Sequence, residues 1–276
     1  FITPNSGPVK LQGTGSIDSG VNSIVHILNL SSNTCTVDVA LAGGFTTGEN
    51  LQFTGPGHFD ISGDQNSWSD TTIANTTMNI SNLKMIGAGN DPLGGVGEIK
   101  MRKAVINING IGDFSTDKNF SLMDDCGFSV ENAGSSLTII DEIGSIDNQI
   151  ANVAISGAGD VDISGDLDLG LGGVTKTGTG TYTYRGTVTG VFDTYWGKTM
   201  IEEGTFVLLG QTNPYSGVCI EAPATLMGTG KAGGNITMDG TFTPGTSVGT
   251  FTAGADLILG GGSTSKFEFD DSTSYD

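Results

Sequence analysis

Carboxylates are the residues of this chain with the clearest capacity for chemistry. The run Asp160-Val161-Asp162-Ile163-Ser164-Gly165-Asp166-Leu167-Asp168 sets four of them at alternating positions. In two short strands that spacing points Asp160, Asp162, Asp166 and Asp168 outward together. Calcium takes about six to eight oxygen ligands, so the four are a candidate calcium site. The spacing matches neither an EF-hand loop nor the nonapeptide of calcium-binding β-rolls, and the same run also reads as an exposed polar face.

Glycoside hydrolysis asks for two carboxyl groups about 5–10 Å apart around a sugar. Asp124-Asp125 is an adjacent acidic pair in mid-chain. On a regular strand its members point to opposite faces. Asp162 and Asp168 would meet only across a corner, and no basic cluster accompanies them to hold a uronate. His26 and His58 stand in unrelated contexts, and His58 occupies the place that Asp160 holds in a sister copy of the surrounding decamer, which predicts a solvent-facing position. No catalytic residue is assigned, and the expectation is that the chain is not an enzyme. Cys35, Cys126 and Cys219 lack any CxxC metal spacing and cannot all pair with one another, so they read as buried small apolar residues. Five N-x-S/T sequons, at Asn29, Asn75, Asn79, Asn119 and Asn235, are no more than a composition this rich in Asn, Ser and Thr yields by chance. The rings of Tyr182, Tyr184, Phe192, Tyr195 and Trp196 form either an interior ladder or a carbohydrate platform.

These groups need elements to hold them. Alternation over a few residues, as in Asn50-Leu51-Gln52-Phe53-Thr54, Val105-Ile106-Asn107-Ile108-Asn109 and Val161-Asp162-Ile163-Ser164, predicts strands buried on one side. A Gly-x-Gly pattern recurs between them, most clearly in GPGHFDISGD (55–64) and GAGDVDISGD (157–166). The first glycines fall at Gly13, Gly55, Gly87, Gly110, Gly157, Gly178 and Gly228, and most gaps approach one or two multiples of ~21–25 residues, the range of short solenoid coils. The 32-residue gap after Gly55 predicts an inserted loop near 65–77. The spacing of Leu137, Ile140, Ile143, Ile146 and Ile150 fits a helical turn or stacked strands equally.

Composition agrees with this architecture. With 45 glycines but no G-X-Y period, collagen is excluded, and 36% apolar residues with only 7 prolines argue against a disordered linker. The fold predicted is all-β, a right-handed parallel β-helix of about 12 coils and ~60 Å. A net charge of −19, from 11 basic against 30 acidic residues, argues against nucleic acid and anionic membranes as partners. No apolar run approaches the ~20 residues of a membrane helix, so no integral membrane segment is expected. The 7% aromatic content shows no girdle of a membrane barrel. The opening Phe1-Ile2-Thr3-Pro4 reads as the start of a mature or fragmentary segment without a signal peptide.

From about Leu171 the chain resembles the autotransporter-associated β-strand repeat of bacterial passenger domains. LGGVTKTGTGTYTYRGTVTG (171–190) is similar to that family's L-x-K-x-G-x-G-T-L-x-L-x-G element, and Lys198–Leu208 to its G-T-x-V-x-x-G-T-L-x-L element. The stretch Gly240–Phe251 is similar to its G-T-L-x-P-G-x-S-x-G-T-L run. Phe192–Trp196 in place of a shorter turn, and Cys219, depart from the pattern. The resemblance divides the chain into residues 1–170, a β-helix with irregular loops, and 171–276, a β-helix continuing as the repeat and truncated at its C-terminus. It implies export to the bacterial cell surface. The function expected is a rigid stalk or adhesin-type passenger meeting host or neighbouring-cell molecules. Its rivals are end-to-end self-association into a filament or sheath and, more remotely, a polysaccharide-degrading enzyme. No cofactor is expected, calcium apart.

Overall fold

Strands of about four residues cannot satisfy their backbone groups alone, so each must be laddered by a neighbour. His58–Ile61 alternates from exposed to buried along its length, and Thr77–Ile80, Ser136–Ile139, Thr181–Tyr184 and Thr205–Leu208 alternate between half-buried and buried. Each lies parallel to, and in register with, the equivalent segment one coil away.

The computed structural model describes residues 9–16, 24–30, 32–40, 50–61, 70–81, 97–187, 197–245 and 249–268. Their strands form a parallel β-helix with three long faces. The first stacks Ile24–Leu28, Asn50–Thr54, Asp70–Ala74, Ile99–Arg102, the start of Phe120–Val130, Ile143–Ser145 and Leu167–Asp168. The second begins with Val9–Ser16, Thr34–Ala40, His58–Ile61, Thr77–Ile80 and Val105–Ile108. It continues through the end of Phe120–Val130, Ala151–Gly157, Val174–Lys176, Thr199–Ile201, Val218–Ile220 and Ile236–Met238 to Leu257–Leu259. The third runs from Asp113–Thr116 to Thr264–Ser265 in eight strands. Val153 lies opposite Val174, so one ladder crosses position 170 without interruption.

About eight coils carry a strand on the third face, against the dozen coils expected, while the second face stacks twelve rungs and so spans ~53 Å. The repeat is uneven. Thr77 follows its partner His58 by 19 residues, whereas Val105 follows Thr77 by 28. The loop expected near 65–77 is corrected on the same evidence. Asp70–Ala74 and Thr77–Ile80 are strands, 62–69 lies outside the described residues, and the long step is the following coil. In the segment 137–150, Leu137 and Ile143 are buried in strands, and a single 3-10 turn, Ile146–Asn148, precedes Ala151–Gly157.

Inward positions stack into columns that form the core. On the second face Cys35, Phe59, Met78, Ile106, Phe128 and Ile155 share one register position, and all are buried. Phe53 and Phe120 of the first face meet Phe59 and Phe128 edge-on, with ring centroids 5.3 and 5.1 Å apart, a favoured aromatic geometry that ties the two sheets. Outward, Asn79 donates to Asp60 Oδ1 at 2.7 Å, and Asn107 donates to Asn79 Oδ1 at 3.0 Å and to Glu131 Oε1 at 2.6 Å. This polar ladder repeats the backbone ladder with side chains.

Two kinds of corner turn the chain. Between the first and second faces a single left-handed residue suffices in three successive coils, Asn75 (φ 55°), Lys103 (φ 47°) and Asp124 (φ 61°), after a glycine corner at Gly55 (φ 124°), where a Cβ would lie 1.9 Å from the Asn29 carbonyl oxygen. Between the second and third faces glycine is required. A Cβ on Gly157 (φ 104°) would lie 2.0 Å from the Val130 carbonyl oxygen, and one on Gly178 (φ 74°) 2.5 Å from that of Gly157. The Gly-x-Gly marks therefore do not share one phase of the coil, as their spacing suggested. Gly55 stands at the first-to-second corner, Gly110, Gly157 and Gly178 at the second-to-third, and Gly228 ends a third-face strand. The two matching decamers even lie on different faces: His58–Ile61 on the second and Asp160–Ile163 on the third.

Candidate functional site

The four aspartates proposed as calcium ligands do not converge. Asp160 and Asp162 face outward on the third face, Asp166 lies at the corner after it, and Asp168 belongs to the first face. Three of them hold the next coil. Asp160 Oδ1 accepts the Thr181 backbone N–H at 2.7 Å, Asp166 Oδ1 accepts that of Thr187 at 2.8 Å, and both Asp162 oxygens accept Arg185 Nε at 3.0 and 2.9 Å. Among the described residues no group of three or more His, Cys, Asp or Glu side chains is placed to hold a metal ion.

Asp124 and Asp125 do not point to opposite faces either. The left-handed turn at Asp124 resets the alternation, leaving it half-buried beside Arg102 Nε (3.2 Å) and Lys103 Nζ (4.0 Å), while Asp125 is exposed and accepts Asn152 Nδ2 at 2.8 Å. Asp162 and Asp168 lie on separate faces. His26 Nε2 lies 2.6 Å from Thr54 Oγ1 on the first face. His58 is exposed on the second, as the comparison with Asp160 predicted.

All three cysteines are free and all lie on the second face. Cys35 and Cys126 are buried in its core, and burial pushes both thiols above their ordinary value of 9.0. Cys219 departs from expectation: it sits between the buried Val218 and Ile220 and points outward, half-buried. Tyr182 and Tyr184 are core residues, with Tyr182 stacked on Phe206 at 5.0 Å, so they form an interior ladder and not a platform. Phe192, Tyr195 and Trp196 lie outside the described residues.

An ionisable group that pattern reading did not single out occupies the core column. Lys176 takes the register position after Ile155, is 1% exposed, and donates from Nζ to the carbonyls of Thr177 (2.7 Å) and Gly178 (2.5 Å) at the glycine corner. Burial pushes its ammonium below the ordinary 10.5, against the opposing pull of Glu203 and Asp160. Buried charge costs free energy unless it is hydrogen-bonded, and here corner carbonyls that have run out of strand supply the acceptors. The lysine thus closes the turn that glycine opens.

A concave feature of the second face is also one that no motif announced. Outward of the ladder, Asn152, Gly173, Lys198, Gly217 and Asn235 follow one another rung by rung, their neighbours linked by backbone bonds such as Thr199 N–H to Gly217 O and Val218 N–H to Asn235 O, both 2.9 Å. At Gly217 the missing side chain leaves a cleft of about 440 Å³, lined by Lys198, Tyr215, Cys219, Asn235 and Thr237 among others. Another, of about 410 Å³, lies farther along the same face at Asp125, Asn152, Ala154 and Thr175. The loop carrying Tyr215 is fastened by Asn213, whose Oδ1 accepts the Tyr215 N–H at 2.8 Å, and by Ser216 Oγ, which donates to Gly197 O at 2.5 Å. Tyr215 itself is 69% exposed.

Fold and surface together define a parallel β-solenoid with a grooved outer face. No family model matches the chain, and no curated protein or solved structure is significantly similar to it. The likeness of 171–276 to the autotransporter-associated repeat rests on its residues alone.

Proposed function

We propose that this chain is a non-catalytic, rigid β-helical segment of an extracellular protein at the bacterial cell surface, a stalk or adhesin-type passenger. The observation that carries the proposal is the unbroken parallel ladder of the second face, from Val9 to Leu259. Stacked coils supply stiffness and a long lateral surface without needing any reactive centre. The repeat-like residues of the C-terminal part supply the argument for export. Protease treatment and antibody labelling of intact producing cells should reach the chain; finding it solely in the cytoplasm would overturn the location. Glycan cleavage by the purified chain, lost in Asp125→Asn, would overturn the non-catalytic half.

A further inference from the structure

We infer that the cleft around Tyr215 is a binding site for an uncharged saccharide. The inference names a ligand class for the adhesin-type reading above and rests on that reading for its setting.

Three observations lead to it. First, the cleft's volume of about 440 Å³ lies within the roughly 300–1,000 Å³ of ligand sites. Its depth comes from Gly217, where the absent side chain opens the backbone between the rungs of Lys198 and Asn235. Second, its wall combines an exposed aromatic ring with an amide (Asn235), a hydroxyl (Thr237) and an ammonium (Lys198). A pyranose has an apolar C–H face that stacks on a ring and a rim of hydroxyls that needs donors and acceptors, so this pairing of surfaces suits it. The Tyr215 backbone is pre-ordered by its bond to Asn213, which lowers the entropy lost on binding.

Third, charge selects the kind of sugar. Among the described residues no carboxylate lines the cleft, although the chain carries 30 acidic residues. The net charge of −19 disfavours polyanions at long range, and the single Lys198 is shared with the fields of Glu221 and Asp239, which all act on Cys219. An uncharged glycan meets the donors of the cleft without that repulsion. The neighbouring dent at Asn152, two rungs before Lys198 on the same face, gives an extended oligosaccharide a course along the solenoid axis.

Cys219 provides the test, because it lines the cleft while Cys35 and Cys126 are buried. The full chain is alkylated with iodoacetamide, alone and with saturating cellohexaose, chitohexaose, xylohexaose, laminarihexaose or tri-galacturonate, and the Cys219 peptide is followed by mass spectrometry. At least one of the four neutral probes should slow modification several-fold, and salt should not abolish the effect. Tyr215→Phe should retain the protection and Tyr215→Ala should lose it, each judged as the ratio to the same variant's own unprotected rate. Protection by none of the neutral probes, by galacturonate alone, or undiminished in Tyr215→Ala would overturn the inference. The experiment is independent of where the protein resides, so its failure leaves the surface location standing, and failure of surface labelling leaves the binding result intact.

Discussion

Two corners of the coil solve the same problem, turning a laddered chain, with different chemistry. In three successive coils the first-to-second corner is a lone left-handed Asn75, Lys103 or Asp124 whose side chain remains at the surface. The second-to-third corners at Gly157, Gly178 and Gly204 bring backbone against backbone, and Lys176 caps two of the freed carbonyls from inside. A left-handed turn at an open corner costs only the conformational strain of a side chain, about 1–3 kcal/mol. A turn under a stacked rung excludes side chains altogether.

The sharpest way to break this contrast is Gly157→Ala. Its Cβ would meet a backbone carbonyl at a left-handed φ, so a loss of about 3 kcal/mol or more is expected, read as a lower urea midpoint by circular dichroism. A result near zero would mean that the corners are interchangeable. An intermediate test uses alkaline pH, where the two regions carry opposite signs. The buried thiols of Cys35, beside Asp60, and Cys126, beside Asp124, have raised folded values, so their contribution is complete below 9.0 and is lost as pH rises through those values. Lys176 has a lowered folded value, so the native state sheds its proton first and this group's contribution grows from that value up to 10.5. Replacing both buried cysteines by Ala should flatten the alkaline decline in stability, and Lys176→Met should steepen it. The same slope in all three proteins would contradict the assignment. The smallest effect, of opposite sign to the first, is expected for Lys103→Gly. Relief of its left-handed strain should offset the lost side chain and raise stability by about 0.5–1 kcal/mol in the same urea titration, because its ion contact with Asp124 is exposed and 4.0 Å long.

This contrast also explains what could be read from the residues. Glycine corners are legible because only glycine fits them, and one-sided alternation is legible because each strand buries one side; together they give the parallel β-helix. Corners built on Asn, Lys or Asp carry no such mark. That is why two near-identical decamers share a phase in the sequence but not in the coil, and why alternation alone sets Asp124 and Asp125 on opposite faces. The aspartates of 160–168 looked like a cluster because alternation places all four outward but does not reveal the corner that carries Asp168 to another face. The cleft was hidden for a related reason. Lys198, Tyr215 and Asn235 come from successive coils, and the signal that joins them is the empty space at Gly217, not a spacing along the chain.

Because every interior strand of the second face is bonded to the coil before and the coil after it, a load applied along the chain meets the ladder one rung at a time. Each rung that yields releases a loop of some 18 to 28 residues, which at about 3.4 Å per residue lengthens the tether by roughly 60–95 Å. Pulled by its ends, the chain behaves as a series of near-equal fuses: it pays out length in steps, dissipates work at each, and keeps the unbroken coils folded.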